Sequence, residues 1–209
     1  MAIEPKVRIG VELTLLEEIL GTKPGNEELL RTYVAGKAPD ARSLEEELTE
    51  RDVDDVIEER MTGFDKEDGH PFIWDYQLKG FLKDSWKALK AMQGTECSKV
   101  KAYKQKIDGA IFLAPENRRM FFENADGTRV SMGQMGKCER PLRAQTMQGE
   151  RVSIAKSEAV PAGSVLRFTV EIFEQGLEKC VRECLDYGSR RGLGQWRNSG
   201  KGRFEWREV

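Results

Sequence analysis

The chain has 209 residues, 39% hydrophobic and 33% charged, with a formal net charge of −2 from 34 Lys and Arg against 36 Asp and Glu. That length can bury a full apolar core, while the near-balanced charge gives no argument for nucleic acid from the whole chain. No apolar run reaches a membrane span, and Met1-Ala-Ile-Glu-Pro5 lacks the apolar stretch of a signal peptide, so a cytoplasmic protein is expected, with no membrane partner.

Lys6–Leu16 alternates as a strand, with Val7, Ile9, Val11 and Leu13 on one side. A turn at Lys23-Pro-Gly25 and a short helix over Glu27–Val34 come next. Ser43–Met61 reads as a helix capped by Ser43 with Glu46 three residues on. From Glu45 to Asp68 acids outnumber bases twelve to three, which marks residues 36–70 as an acidic helical insertion. Phe64–Pro71 is a polar hairpin tip, and Gln77–Met92 a helix whose Leu78, Leu82, Trp86 and Leu89 make a buried stripe. Lys79 and Lys83 near its start are opposed by the helix dipole and so point to an external anion. Gly80 in the first turn suggests that something packs closely there.

Gly94–Lys106 is basic and weakly periodic, and residues 94–136 are expected as a flexible finger- or thumb-like insertion within one domain spanning 1–209. Ala110–Leu113 is a strand, Asn124-Ala-Asp-Gly127 a hairpin turn, and Arg140–Thr146 a basic loop carrying Arg140 and Arg143. Arg151–Ser157 is extended, Glu158–Gly163 turns, Ser164–Phe173 is a strand and Leu177–Tyr187 a short helix. Strands interspersed with two packing helices imply an α+β, ferredoxin-like (RRM-like) fold.

The last stretch carries the chemistry. Between Asp186 and Glu205 there is no acid, while Arg190, Arg191, Arg197, Lys201 and Arg203 are cationic. Gly188, Gly192, Gly194, Gly200 and Gly202 permit positive φ and close approach to a ligand, and Trp196 offers a stacking face. Phosphate contact is expected here. The alternative is a solvated loop before a last strand, Arg203–Arg207.

Cys97, Cys138, Cys180 and Cys184 form no CxxC, and His70 is the only histidine. Neither a zinc site nor a Ser-His-Asp triad is expected, and no cofactor.

Four stretches in order resemble the RAMP superfamily of CRISPR-associated RNA-binding proteins, and within it the subunits that line guide RNA. They are the opening strand and loop Val7–Gly21; Pro71-Phe-Ile-Trp-Asp-Tyr-Gln-Leu-Lys-Gly80, similar to a family segment entering a helix; Glu158-Ala-Val-Pro-Ala-Gly-Ser-Val-Leu-Arg-Phe168, a turn before a strand; and the glycine-rich Gly192–Phe204. Trp74-Asp-Tyr-Gln77 replaces the family's Pro-Gly-Ser-Ser. The metal-binding aspartate of RNA-cleaving members has only Asp40 as a remote counterpart.

The resemblance implies a non-catalytic, ferredoxin-like RNA-binding module. Lys79, Lys83, Arg140, Arg143, Arg190, Arg191, Arg197 and Lys201 would meet phosphates, Gly192 and Gly194 would allow close approach, and Tyr76 or Trp196 would stack on a base. The implied partners are single-stranded or guide RNA, further copies of the chain, and CRISPR effector subunits. Two rivals stand beside it: a phage-borne inhibitor that takes a subunit's place or captures its RNA, and an endoribonuclease built on His70 with Asp65 and Asp68.

Overall fold

A computed structural model of the chain describes residues 3–24, 61–115, 117–146 and 149–209, with side chains omitted for 142–153. The helices expected at Glu27–Val34 and Ser43–Met61, most of the acidic insertion and Asp40 lie outside the described residues.

The first strand, β1 (Val7–Leu15), buries Ile9, Val11, Leu13 and Leu15 and turns Arg8, Gly10, Glu12 and Thr14 the other way. This is the two-residue period of a half-covered strand. Short strands β2 (Ile19–Leu20), β3 (Lys23–Pro24), β4 (Thr62–Gly63), β5 (Asp65–Glu67) and β6 (His70–Trp74) lead into helix α1 (Asp75–Lys90). The Gln77 Oε1 accepts the Trp74 backbone N–H at 2.8 Å, and Asp75 places an acid in the first turn, where the dipole favours it. α1 buries Leu78, Leu82, Trp86 and Leu89 as the spacing predicts, with Phe81 and Ser85 beside them.

Next come α2 (Glu96–Lys99), α3 (Tyr103–Ala110), β7 (Ile111–Ala114), β8 (Arg119–Glu123), β9 (Gly136–Thr146), β10 (Gly149–Val160), β11 (Val165–Ile172), α4 (Leu177–Arg191) and β12 (Phe204–Glu208). The 94–136 stretch, expected as an insertion, contributes Cys97, Ile107, Ile111, Leu113, Met120, Phe122 and Val130 to the core. The expected turn is present: the Gly127 N–H donates to the Asn124 carbonyl at 3.0 Å.

Strands β12, β1, β11 and β7 lie side by side in that order, every pairing antiparallel. With α1 between β1 and β7, and α4 between β11 and β12, this is the ferredoxin-like split βαβ arrangement expected from the sequence. β8, β6 and β5 extend the sheet beyond β11. Helices α1 and α4 pack together, and a Cβ at Gly188 would stand 2.0 Å from the Phe81 ring. Only glycine lets the helices approach this closely.

A second sheet carries β2, β10, β4 and β3, with β9 paired to β10 in register from Gly149↔Thr146 to Ala159↔Gly136. Arg140 and Arg143 therefore sit in a strand of a long hairpin, where a basic loop was expected. The reason is cross-strand pairing, which a short basic run does not announce.

Candidate nucleic-acid interface

The glycine-rich segment after α4 is held against β2 and β4. α4 runs to Arg191, so Arg190 and Arg191 stand in its last turn, where the dipole favours cations, and not in the loop. Gly192, at φ +83°, ends the helix by donating its N–H to the Gly188 carbonyl at 2.7 Å. The Leu193 N–H then reaches the Gly202 carbonyl at 2.9 Å, and the Gly202 N–H reaches the Glu18 carbonyl at 2.9 Å.

Gly192, Gly194, Gly200 and Gly202 do take positive φ, whereas Gly188 is helical within α4, and the close approach is to the chain itself. A Cβ at Gly194 would lie 2.9 Å from the Leu20 carbonyl oxygen, and one at Gly192 would lie 2.5 Å from that of Lys201. Their first task is to let the loop close on β2.

The run without acids is not a run without counter-charges. Asp84 on α1 receives Arg197 Nη1 at 2.7 Å and stands 3.4 Å from Arg191 Nε. Arg191 also donates to Asn198 Oδ1 at 2.8 Å. Lys201 Nζ meets Glu18 Oε1 at 2.7 Å, a bond that raises the pKa of its ammonium. Arg190 and Arg203 remain exposed, with no ion pair among the described residues.

Trp196 takes the left-handed conformation, φ 53°, and the residue is 37% exposed. The Arg140 guanidinium lies over it at 5.4 Å from the centroid and donates to Gln195 Oε1 at 2.8 Å. Gln195 donates in turn to the Gly21 carbonyl and, at 3.0 Å, to Thr62 Oγ1. The loop, the hairpin base and the small strands are thus locked together. Of Arg143, only the backbone in β9 is described.

The expected lysines go elsewhere. On α1, Gln77, Gly80, Phe81 and Asp84 face the glycine loop around a cleft of about 240 Å³. Lys79 and Lys83 lie on the other flank, as the helical period requires. Lys79 Nζ sits 4.5 Å over the Phe112 ring, and burial lowers its pKa. Lys83 pairs with Asp108 at 2.6 Å. Lys79 and Lys83 are thus a group apart from the cations of the glycine loop. Gly80 has no atom within 4 Å of an added Cβ, so it opens onto the cleft and packs against nothing.

Tyr76 is 55% exposed and stacks on Trp74 at 6.4 Å between centroids, while burial and the Asp65 carboxylate raise the pKa of its phenol. Asp84, Glu18 and Gln195 were not found by sequence reasoning. Nothing distinguishes an acid that neutralises a distant arginine from an ordinary solvated one.

No protein-family model matches the chain, and no curated protein matches it. Among solved structures, the chain is similar to one in the cryo-EM structure of the type III-B Cmr-beta bound to cognate target RNA. The TM-score is 0.53 at 14% identity, covering 96% of this chain and 58% of that one. A chain of a type IV-B CRISPR complex is similar at TM-score 0.49 and 12% identity, over 97% of this chain and 90% of that one. This chain therefore shares its fold with a chain of the Cmr-beta structure, while spanning 58% of that chain's length. Among the described residues no helix is long and apolar enough to cross a membrane.

Proposed function

We propose that the protein binds RNA without cleaving it, in the role of a CRISPR-complex subunit, holding a single strand by its phosphates where the glycine loop meets the base of the β9–β10 hairpin. The observation that carries this reading is the grouping of Arg190, Arg203, Arg140 and Trp196 around one loop, with two of the arginines free of carboxylates among the described residues. Guanidinium groups beside a half-exposed indole match a phosphate with its neighbouring base. The Cmr-beta structure of similar fold is bound to its target RNA. Binding in place of cleavage is supported by the state of Asp65 in the expected base cluster, whose carboxylate is taken up by Trp74 Nε1 and Lys23.

The test is anisotropy of a labelled oligo-uridine across a salt series. Replacing Arg190 and Arg203 with alanine removes two phosphate contacts, so the slope of log K against log salt should flatten by about 1.4. An unchanged slope overturns the assignment. The same labelled RNA should stay intact after incubation with magnesium. Contacts made to phosphates repeat along a long strand, so copies of the chain should add to it in equal mass steps on sedimentation.

A further inference from the structure

Arg140 presents an unusual combination of contacts. Its Nη2 donates to Gln195, but Nε and Nη1 are buried with no hydrogen-bond partner. Buried guanidinium donors left unpaired are costly, and native structures rarely keep them without a purpose. The group over them is Trp196, whose indole N–H has no partner among the described residues and whose backbone sits in the left-handed region. A bulky non-glycine residue there is a strained conformer, which marks switchable sites. Among the described residues the one polar contact of the indole is its cation–π contact with Arg140, which is weak at a half-exposed position. Gln195, anchored to Thr62 and Gly21, fixes the guanidinium so that its free donors stay aimed under the indole.

We propose that Arg140 is an oxyanion seat and Trp196 its movable cover, a role that rests on the RNA-binding function assigned to the same loop. The phosphate of a bound strand displaces the indole, pairs with the orphaned donors, and frees the ring to stack on the adjoining base. Binding thereby exchanges a cation–π contact for charge-assisted hydrogen bonds, which are the stronger interaction. The seat takes a phosphate oxyanion whether it comes from a nucleic-acid backbone or from free phosphate.

The experiment uses the full chain labelled with 5-fluorotryptophan and read by fluorine NMR, with the Trp196 signal assigned from Trp196→Phe. It is titrated separately with inorganic phosphate and with oligo-uridine, whose binding is followed in parallel by anisotropy. The Trp196 line should move with both ligands while those of Trp74, Trp86 and Trp206 stay in place. Arg140→Gln should weaken phosphate binding about tenfold or more and abolish the Trp196 shift it causes. Trp196→Ala should act with opposite signs. It removes the cover and tightens inorganic phosphate by about two- to fivefold. It also removes the stacking face and weakens oligo-uridine by about fivefold or more.

A merely structural tryptophan would weaken both ligands together, and that result overturns the proposal. RNA binding with a stationary Trp196 line overturns the cover and leaves the RNA reading standing. A phosphate-induced shift without RNA binding keeps the seat and overturns the RNA reading. A line that moves with neither ligand overturns the seat.

Discussion

Two glycine substitutions test whether the loop's glycines serve its own packing. At Gly202, φ is +69° and an added Cβ would lie 2.0 Å from the Leu193 carbonyl oxygen and 2.9 Å from its carbon. The left-handed backbone alone costs an alanine about 1 kcal/mol or slightly more. The overlap is with backbone, so no side-chain rotation relieves it and the loop must part. Two hydrogen bonds are then lost, Leu193 N–H to the Gly202 carbonyl and Gly202 N–H to the Glu18 carbonyl, both at 2.9 Å. At about 1 kcal/mol each, these bring the total for Gly202→Ala to about 3 kcal/mol. A domain of this size loses roughly 2–4 °C per kcal/mol, so Tm should fall by about 6–12 °C. Gly200 has φ +86°, but its nearest neighbour is the flexible Arg203 Cδ at 3.9 Å. Only the backbone cost applies there, and Gly200→Ala should lower Tm by about 2–4 °C. Thermal melts by circular dichroism, with urea titrations of the same variants, measure both. Equal losses, or a Gly202→Ala protein that melts like the parent, would refute the packing argument.

The same geometry sets further outcomes. Lys79→Ala with Lys83→Ala should leave oligo-uridine affinity within about twofold, because both lysines are turned from the glycine loop toward Phe112 and Asp108. Asp84→Ala should cost about 0.5–1 kcal/mol in urea unfolding, as a half-exposed ion pair does. It should also tighten oligo-uridine, since Arg191 and Arg197 lose their internal counter-charge. Gly80→Ala should stabilise the protein by about 0.5–1 kcal/mol, because α1 gains a better helix former and the added methyl meets open space. Burial pushes the Glu12 carboxyl up, but bonds from Arg167 and Arg207 outweigh it and hold the group below its ordinary pKa. A carboxyl depressed on folding stabilises the protein above its unfolded pKa and loses that contribution as pH falls through the folded one. Stability should therefore drop as pH goes below about 4.3, the ordinary glutamate value, and Glu12→Gln should flatten that part of a urea-midpoint profile against pH.

Much of the fold could be read from local pattern. β1 shows its two-residue alternation, and Leu78, Leu82, Trp86 and Leu89 mark the buried face of α1. The turn at Asn124–Gly127 is announced by its residues, because backbone preference there acts over a few positions. The Arg140 strand was missed because its partners, Ala155 and its neighbours in β10, supply the extended geometry. The end of α4 was placed too early at Tyr187. Gly188 reads as a helix breaker, yet it lies inside the helix because Phe81 fills the space a side chain would need.

The sequence by itself determined the strand–helix order that makes the ferredoxin-like sheet, the glycine conformations of the last loop and the identity of its cations. Periodicity, capping and steric freedom are properties of short stretches, so they survive without knowledge of what lies opposite. The tertiary structure alone decided which cations remain available. Asp84 reaches Arg191 and Arg197 across more than a hundred residues of chain, and Glu18 reaches Lys201 from near the other end. The turn of α1 carries Lys79 and Lys83 away from the loop. Electrostatic neutralisation depends on distance in space and is screened beyond about 8–10 Å in physiological salt, so charges that dominate a stretch of sequence can be cancelled by a residue remote from it in the chain.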